Sequence, residues 1–413
     1  MKQRLAVIGI LIFASTVNAQ ISPQFFAMHA YSQWNWPTKE GVQLASWRTE
    51  PISSLQWAGV NTSSGVYNWS ALDSWIATAQ QSGVSVLYTV WVTPSWASSC
   101  PKCLCFDNRV YNGGCYPPND VNADGSGTDQ NLKNFITAMM KHLGPGKINY
   151  IEVWNEPNIL AEWAGTVQQL ARMAMDIRTI AKSYDPNVMI TSPAETGDGN
   201  ITQGGVDMKW LTSYLAAGGG AYADVIALHG YVGRPEDIIT RINNTTGAMA
   251  QYGQSGKPIY VTEGSWALKI NLPARQQPGF SFRHYLSMLS TPAQRFYLMA
   301  FDNPQLGNLF SDPNNAFNPP GVAYQLFYNW LVGATMTQPC KAQSNNSSVW
   351  SCTFTRSGGY QAEAIWSTSL PWGQKTTVTV PSQYTQYRDL YNNLYQIKSN
   401  QVPIGYDPIW LEN

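Results

Sequence analysis

The sequence predicts an α/β chain, a (β/α)8 TIM barrel followed by a small C-terminal β-sandwich. Short β-branched or aromatic runs alternate with stretches of helical periodicity, the pattern of parallel βαβ units. Two of those runs end in a glutamate. Beyond residue 333 the pattern changes to apolar–polar alternation, as in half-buried antiparallel strands.

The eight barrel strands are read at 24–30, 43–48, 85–92, 148–154, 187–192, 224–229, 258–262 and 295–301. Helices are expected between them, at 70–82 with Leu72, Trp75, Ile76 and Ala79 on one face, at 128–142 and at 166–183. A final helix around 321–332 completes the alternation. An open doubly wound sheet would favour a glycine-rich turn after the first strand, and the sequence has none there. Past the barrel, Val349–Thr355, Ala362–Trp366 and Thr376–Val380 read as strands, with a turn at Gly358-Gly359. A strand from the N-terminal end is a candidate to complete this unit. No Ser/Thr/Pro-rich linker precedes it, so it is expected to dock on the barrel. The division is a leader at 1–19, a barrel at 20–332 and a sandwich at 333–413.

The leader has a basic start, Lys2 and Arg4, an apolar run Leu5–Ala14, and small residues in Val17-Asn18-Ala19. That run is too short to span a bilayer and reads as a secretory signal peptide, leaving Gln20 first in a secreted, extracellular or periplasmic product. No later run suggests a membrane span. All six cysteines follow the leader, which suits an oxidising compartment. Cys340 and Cys352 are expected to pair. Cys100, Cys103, Cys105 and Cys115 allow three connectivities, and the tight spacing disfavours the one that joins Cys103 to Cys105. Glycosylation sequons begin at Asn61, Asn68, Asn200, Asn243, Asn244, Asn345 and Asn346.

Net charge is zero and charged residues are 12 % of the chain, so no basic face invites nucleic acid. A neutral partner is expected. The 17 Trp and 22 Tyr point to carbohydrate, because indole and phenol faces stack on the C–H faces of sugars while their polar tips reach hydroxyls. Core packing is the competing role for any one of them.

The sharpest local signal is Ile151-Glu152-Val153-Trp154-Asn155-Glu156-Pro157-Asn158, at the end of the fourth strand. Ile259-Tyr260-Val261-Thr262-Glu263-Gly264 ends the seventh in the same way. Residues at strand C-termini line the mouth of such a barrel, so Glu156 and Glu263 should face one another across it. Glycosidic cleavage needs a proton donor at the leaving oxygen and a carboxylate at the anomeric carbon; at about 5–5.5 Å separation the carboxylate acts as nucleophile and configuration is retained. Asn155 is placed to hold a sugar hydroxyl or the nucleophile. Tyr231 is placed to keep Glu263 ionised, and His229 to support the acid side, in Ala227-Leu228-His229-Gly230-Tyr231. The proximity of Glu263 is expected to keep Glu156 protonated. Glu152 precedes the strand end and reads as a barrel-interior residue. Glu50 and Glu195 also lie near strand ends.

With these residues in place, the sequence resembles clan A glycoside hydrolases, and family 39-like members most closely. The likeness spans the chain after the leader. It is carried by Trp154-Asn155-Glu156-Pro157, Thr262-Glu263, His229-Gly230-Tyr231, Gly65-Val66-Tyr67-Asn68-Trp69 with Leu72-Asp73, and Thr93-Pro94-Ser95-Trp96-Ala97. It implies a retaining enzyme with Glu156 as acid/base, Glu263 as nucleophile and a β-sandwich after the barrel. It also sets Arg48, in Ser46-Trp47-Arg48-Thr49, against a substrate-side arginine, and Ala300-Phe301-Asp302-Asn303 where many members carry a tryptophan floor. Substrate-contact candidates are therefore Asn155, His229, Tyr231, Arg48 and Asp302, with Trp91, Trp96, Trp163 and Trp266 as stacking candidates. No cofactor or catalytic metal is expected, since His29, His142, His229 and His284 lack ligand spacing. Asp120-Val121-Asn122-Ala123-Asp124-Gly125 begins like a calcium loop but meets Asn131 at the twelfth position, and reads as a polar turn. The expected state is a monomer acting on a neutral oligo- or polysaccharide. The competing readings are a catalytically silent carbohydrate-binding barrel and a disulfide-stapled adhesion protein.

Overall fold

The computed structural model describes residues 19–105, 111–196, 208–266, 271–303, 307–311 and 316–413. The leader through residue 18 and the sequon at Asn200 lie outside the described residues. Eight parallel strands, β1 (Phe26–Met28), β2 (Ser46–Arg48), β3 (Ser85–Val90), β4 (Tyr150–Val153), β5 (Met189–Thr191), β6 (Ile226–His229), β7 (Ile259–Glu263) and β8 (Ala293–Leu298), form one sheet. Its hydrogen-bonded order is β5-β4-β3-β2-β1-β8-β7-β6. Parallel bridges from Thr191 to Val225 and from Glu195 to Leu228 join the outer strands and close the barrel.

The paired segments are short and most predicted runs extend past them into loops, whereas β7 takes in Glu263 beyond the run at 258–262 and β8 starts at Ala293, ahead of the run at 295–301. The helices are α1 (Trp57–Val60), α2 (Ser70–Gln81), α3 (Gln130–Leu143), α4 (Val167–Tyr184), α5 (Met208–Ala216), α6 (Asp237–Gln251), α7 (Gln277–Leu289) and α8 (Pro319–Leu331). On α2 the buried positions are Leu72, Trp75, Ile76 and Ala79, the face read from the sequence. Thr166 caps α4 through Gln169 N, and the Gln169 side chain returns to Thr166 N, a reciprocal capping box. Ala27, Leu87, Val225, Tyr260 and Tyr297 fill the barrel interior below the mouth. Arg295 lies over the rings of Tyr150 and Tyr260, 4.8 and 4.9 Å from their centroids. This layer makes the barrel interior a packed core below the strand C-termini.

Two short strands, β9 (Phe310–Ser311) and β10 (Ala316–Phe317), precede α8. The tail then forms β11 (Thr335–Gln343), β12 (Asn346–Thr355), β13 (Gln361–Ser367), β14 (Lys375–Thr379), β15 (Gln386–Arg388), β16 (Leu394–Gln396), β17 (Gln401–Gly405) and β18 (Ile409–Glu412). Six of these make one antiparallel sheet, and β14 with β17 makes a second. Val349, Ile365, Val380, Tyr384, Val402, Ile404, Ile409 and Leu411 pack between the two sheets as their own core. Among the described residues, the N-terminal contribution is a bridge from Gln20 to Thr335 rather than a full strand.

This sandwich is docked. Trp330 of α8 stacks on Trp410 of β18 at 5.4 Å, and Phe354, Trp366 and Trp410 belong to the same buried cluster as the barrel helices. Disulfides join Cys100 to Cys103, Cys105 to Cys115 and Cys340 to Cys352. The last matches the expected pair, and the first two are one of the connectivities left open. Asn61 is buried: its carboxamide accepts from Trp57 Nε1 and donates to Ser63 O and Val66 O, so that sequon is spent on a turn. Among the described residues, no helix is long and apolar enough to cross a membrane.

Candidate active site

The end of β4 is bent by its backbone. Trp154 and Glu156 adopt positive φ, 87° and 39°, a region that costs a non-glycine residue on the order of 1–3 kcal/mol. Packing over-determines both. The Trp154 indole N–H donates to Glu162 O at 2.9 Å and its ring meets Trp163 edge-on at 4.7 Å. Glu156 N donates to Ala194 O at 3.0 Å. The turn therefore delivers Asn155 and Glu156 to the mouth on a fixed backbone.

At the opposite wall, the pairing of β6 with β7 slips between Leu228 and His229, so that His229 stands opposite Glu263. Such irregularities re-aim a side chain beside functional sites. Gly230 and Gly264 are required by the close approach of these two strand ends. A Cβ on Gly230 would lie 2.7 Å from Val261 Cγ1, and one on Gly264 would lie 2.9 Å from Phe296 Cε2.

The two glutamates then share one small space. Ligating atoms of Glu156, His229 and Glu263 all lie within 4.8 Å of one another. His229 Nδ1 donates to Glu156 Oε1 at 2.8 Å, with Glu263 Oε2 at 3.5 Å. Tyr231 Oη donates to Glu263 Oε2 at 2.8 Å, and Arg48 Nη1 donates to Glu263 Oε1. Arg48 is fully buried and its other nitrogens reach Glu152 Oε2 (2.7 Å from Nε) and Asn155 Oδ1 (2.8 Å from Nη2). Thr89 Oγ1 donates to the same Glu152 oxygen at 2.9 Å. Glu152 is thus an interior anchor for Arg48, as its position before the strand end suggests.

Burial opposes the charged form of Arg48, but Glu152, Glu263 and Glu50 together hold the guanidinium protonated well above its ordinary value. Burial also works against charge on His229, yet Glu263 and Glu156 prevail and raise its pKa. His29 faces the same cluster with the opposite result. Burial first, and then Arg48, lower it to about 3. Burial and the Glu263 carboxylate push the Tyr231 phenol up, so it stays a donor at neutral pH.

The other predicted residues divide. Asp302 Oδ1 accepts from Tyr31 N at 2.7 Å, which ties the β8 loop to the β1 loop. Trp266 is 6 % exposed beyond β7 and bridges Val232. Trp91 is fully buried in the hydrophobic core, and Trp163 nearly so. Neither has an open face for stacking. Trp96 is half-buried, its N–H donating to Asn61 O at 3.0 Å. Phe301 is also buried, stacked on Phe310 at 5.3 Å, so it forms no open floor.

Sequence reasoning missed Tyr31, whose hydroxyl meets Met299 Sδ at 3.8 Å, and His29, whose Nε2 donates to Thr262 O at 3.0 Å. It missed Arg241 too, which donates to His229 O and pairs with Glu195 Oε1 at 2.9 Å. Only the polar side chains His29, Tyr31 and Ser32 at one strand end signalled the first pair.

Residues 123–282 match a family model described as a glycosyl hydrolase catalytic core. A search of the curated proteins finds no sequence match. Solved structures share the fold. A family 39 glycoside hydrolase from the gut symbiont Bacteroides cellulosilyticus WH2 aligns with a TM-score of 0.67 at 15 % identity, over 95 % of this chain and 82 % of that one. A family 39 β-xylosidase from Caulobacter crescentus aligns at 0.63 and 16 %, over 96 % and 97 %. A family 30 endoxylanase from Clostridium papyrosolvens C71 aligns at 0.60 and 12 %, over 97 % and 98 %.

Proposed function

Taking the chain as a clan A glycoside hydrolase with a family 39-like architecture, we propose that it cleaves β-linked neutral oligo- or polysaccharides with retention, with Glu156 as acid/base and Glu263 as nucleophile. One observation carries the reading: an oxygen of each carboxyl lies within 4.8 Å of the other on facing strand ends, yet the two have different neighbours. Arg48 and Tyr231 both donate to Glu263, which favours its ionised form. Among the described residues, Glu156 accepts from the His229 imidazole N–H.

In the first step a Glu263 oxygen attacks the anomeric carbon, the glycosidic bond breaks, and the Glu156 proton passes to the leaving oxygen. As Glu263 loses charge to the new ester bond, Arg48 keeps its contacts to Glu152 and Asn155, so the guanidinium is not stranded. In the second step Glu156, now ionised, takes a proton from water. That water attacks the anomeric carbon, and Glu263 leaves as the carboxylate. The raised pKa of His229 suits this exchange, because an imidazolium stabilises whichever carboxylate is charged. Asn155 Nδ2 is buried without a hydrogen-bond partner among the described residues, a donor aimed at the place where a sugar hydroxyl would sit.

The leader and the three disulfides support a secreted product. Incubation with an activated 2-fluoroglycoside should add one glycosyl mass to a peptide containing Glu263. Xylosides head the panel, because relatives of like fold are named xylosidase and endoxylanase. An adduct on another residue, or inverted product configuration by NMR, would overturn the mechanism.

A further inference from the structure

The C-terminal sheets carry an aromatic hollow of their own. It is a cavity of about 210 Å³ whose lining includes Trp372, Gln374, Lys375, Asp389, Tyr391 and Asp407. Tyr391 is 58 % exposed, although it stands on a rigid turn between β15 and β16. Asp389 fixes that turn. Its Oδ1 accepts from Tyr391 N and Asn393 N, both at 2.9 Å, and its Oδ2 accepts from Asn393 Nδ2 at 2.9 Å. Arg388 Nη1 donates to Asn392 Oδ1 at 3.0 Å on the same turn. An exposed aromatic ring on a fixed backbone loses little freedom when it binds a ligand. On the same hairpin Tyr395 is 42 % exposed and stacks on Tyr387 at 4.9 Å.

Trp372 and Asp407 meet in the polar part of the lining, where the indole N–H pulls on the shielded carboxyl. Burial pushes the Asp407 carboxyl up to about 6, against the pull of the neighbouring Trp372. Aromatic rings beside polar groups suit a ligand with an apolar face and hydroxyls on its edge. Charged ligands fit less well. Asp389 has its oxygens occupied by its own turn, which leaves little for a cation, while Asp389 and Asp407 together oppose an anion. The guanidinium of Arg275 lies 5.0 Å over the Trp372 ring and Lys375 lines the wall, so the acids are balanced locally.

We propose that this hollow is a second, non-hydrolytic carbohydrate site, which holds one neutral sugar residue of a glycan chain against Trp372 and Tyr391. It requires no bond cleavage and shares with the hydrolytic reading only the class of ligand.

The full chain carrying Glu263→Gln is run in native gels cast with soluble xylan, mixed-linkage β-glucan or galactomannan. The same chain with Tyr391→Ala added is run beside it. At least one polysaccharide should retard the single variant, and the added substitution should weaken the apparent affinity about 10-fold. Tyr391→Ala alone should hydrolyse a short aryl glycoside with unchanged kcat/KM. Equal retardation of the two variants, or none in any gel, would overturn the second site. Hydrolysis of the aryl glycoside reports separately on Glu156 and Glu263, so failure of one proposal does not mask the other.

Discussion

Two buried arginines, Arg48 at the barrel mouth and Arg283 at the junction with the sandwich, meet glutamates in opposite styles. Arg283 makes a two-pronged pair with Glu236, Nε to Oε1 at 2.7 Å and Nη2 to Oε2 at 2.8 Å, and Trp366 Nε1 adds a third donor at 2.8 Å. Both carboxylate oxygens of Glu236 are satisfied. Arg48 instead divides its nitrogens among Glu263, Glu152 and Asn155, and the groups around it keep loose ends. Asn155 Nδ2, Glu152 Oε1, His229 Nε2 and Thr262 Oγ1 are all buried without partners among the described residues. A closed pair holds two parts of a fold together. An open lattice of the same groups costs stability and gains only when a ligand completes it.

That contrast breaks most sharply under substitution. Glu263→Gln should cut kcat on aryl glycosides by on the order of 10⁴-fold or more, the scale seen when a nucleophile is removed. Its thermal midpoint should fall little, because Arg48 keeps Glu152 and Glu50 as counter-charges. Arg283→Met should do the reverse. It leaves Glu236 buried with one neutral donor, and unfolding free energy from urea titration should fall by about 3–5 kcal/mol. Turnover per folded molecule at low temperature should be unchanged. Equal loss of stability in both variants would erase the distinction between the two regions.

Tyr231→Phe tests a smaller part of the open lattice. The phenol donates to Glu263 Oε2, and a hydrogen bond to a charged group contributes about 1.5–3 kcal/mol. Loss of that donor should lower kcat/KM about 10- to 100-fold. Unchanged kinetics would mean that Arg48 alone orients the carboxylate.

How much of this was readable beforehand follows from the range of each interaction. Glu156, Glu263, His229 and Tyr231 stand at strand ends in short local patterns, and a barrel brings strand ends together whatever its details. The strands themselves were legible for the same reason, since β-branched runs such as Ser85–Val90 need no partner to be noticed. The Arg48–Glu152 contact spans 104 residues and depends on which side chains the closed sheet turns inward. No local pattern carries that. The tail was harder still. β11 contains Pro339 and Cys340 and slips register three times against β12, while β15 and β16 are three residues each with no alternation of burial. A tryptophan after a strand end, such as Trp91, looks the same in sequence whether its ring faces the mouth or the helices, so stacking and core packing both stayed open for it.

The last test stays inside the open lattice and asks whether two histidines in one field titrate oppositely. His29 is lowered to about 3 and His229 is raised, from a common ordinary value of 6.5. In ring ¹⁵N spectra, His229 should take up its proton above pH 6.5, and His29 should remain neutral down to about pH 3. The two should also pull stability in opposite directions. For His29 the unfolded chain binds a proton that the folded chain refuses, so its contribution is complete above pH 6.5 and shrinks as pH falls toward 3, by roughly 1.4 kcal/mol for each pH unit. For His229 the folded chain binds first, so its contribution is complete below pH 6.5 and is lost as pH rises through the folded value. In Glu156→Gln the His229 midpoint should move down, because a carboxylate that favours imidazolium is gone, while His29 should barely respond, since Arg48 and its burial are untouched. Parallel shifts of both rings would mean that the field is set by the barrel mouth as a whole rather than by the neighbours of each histidine.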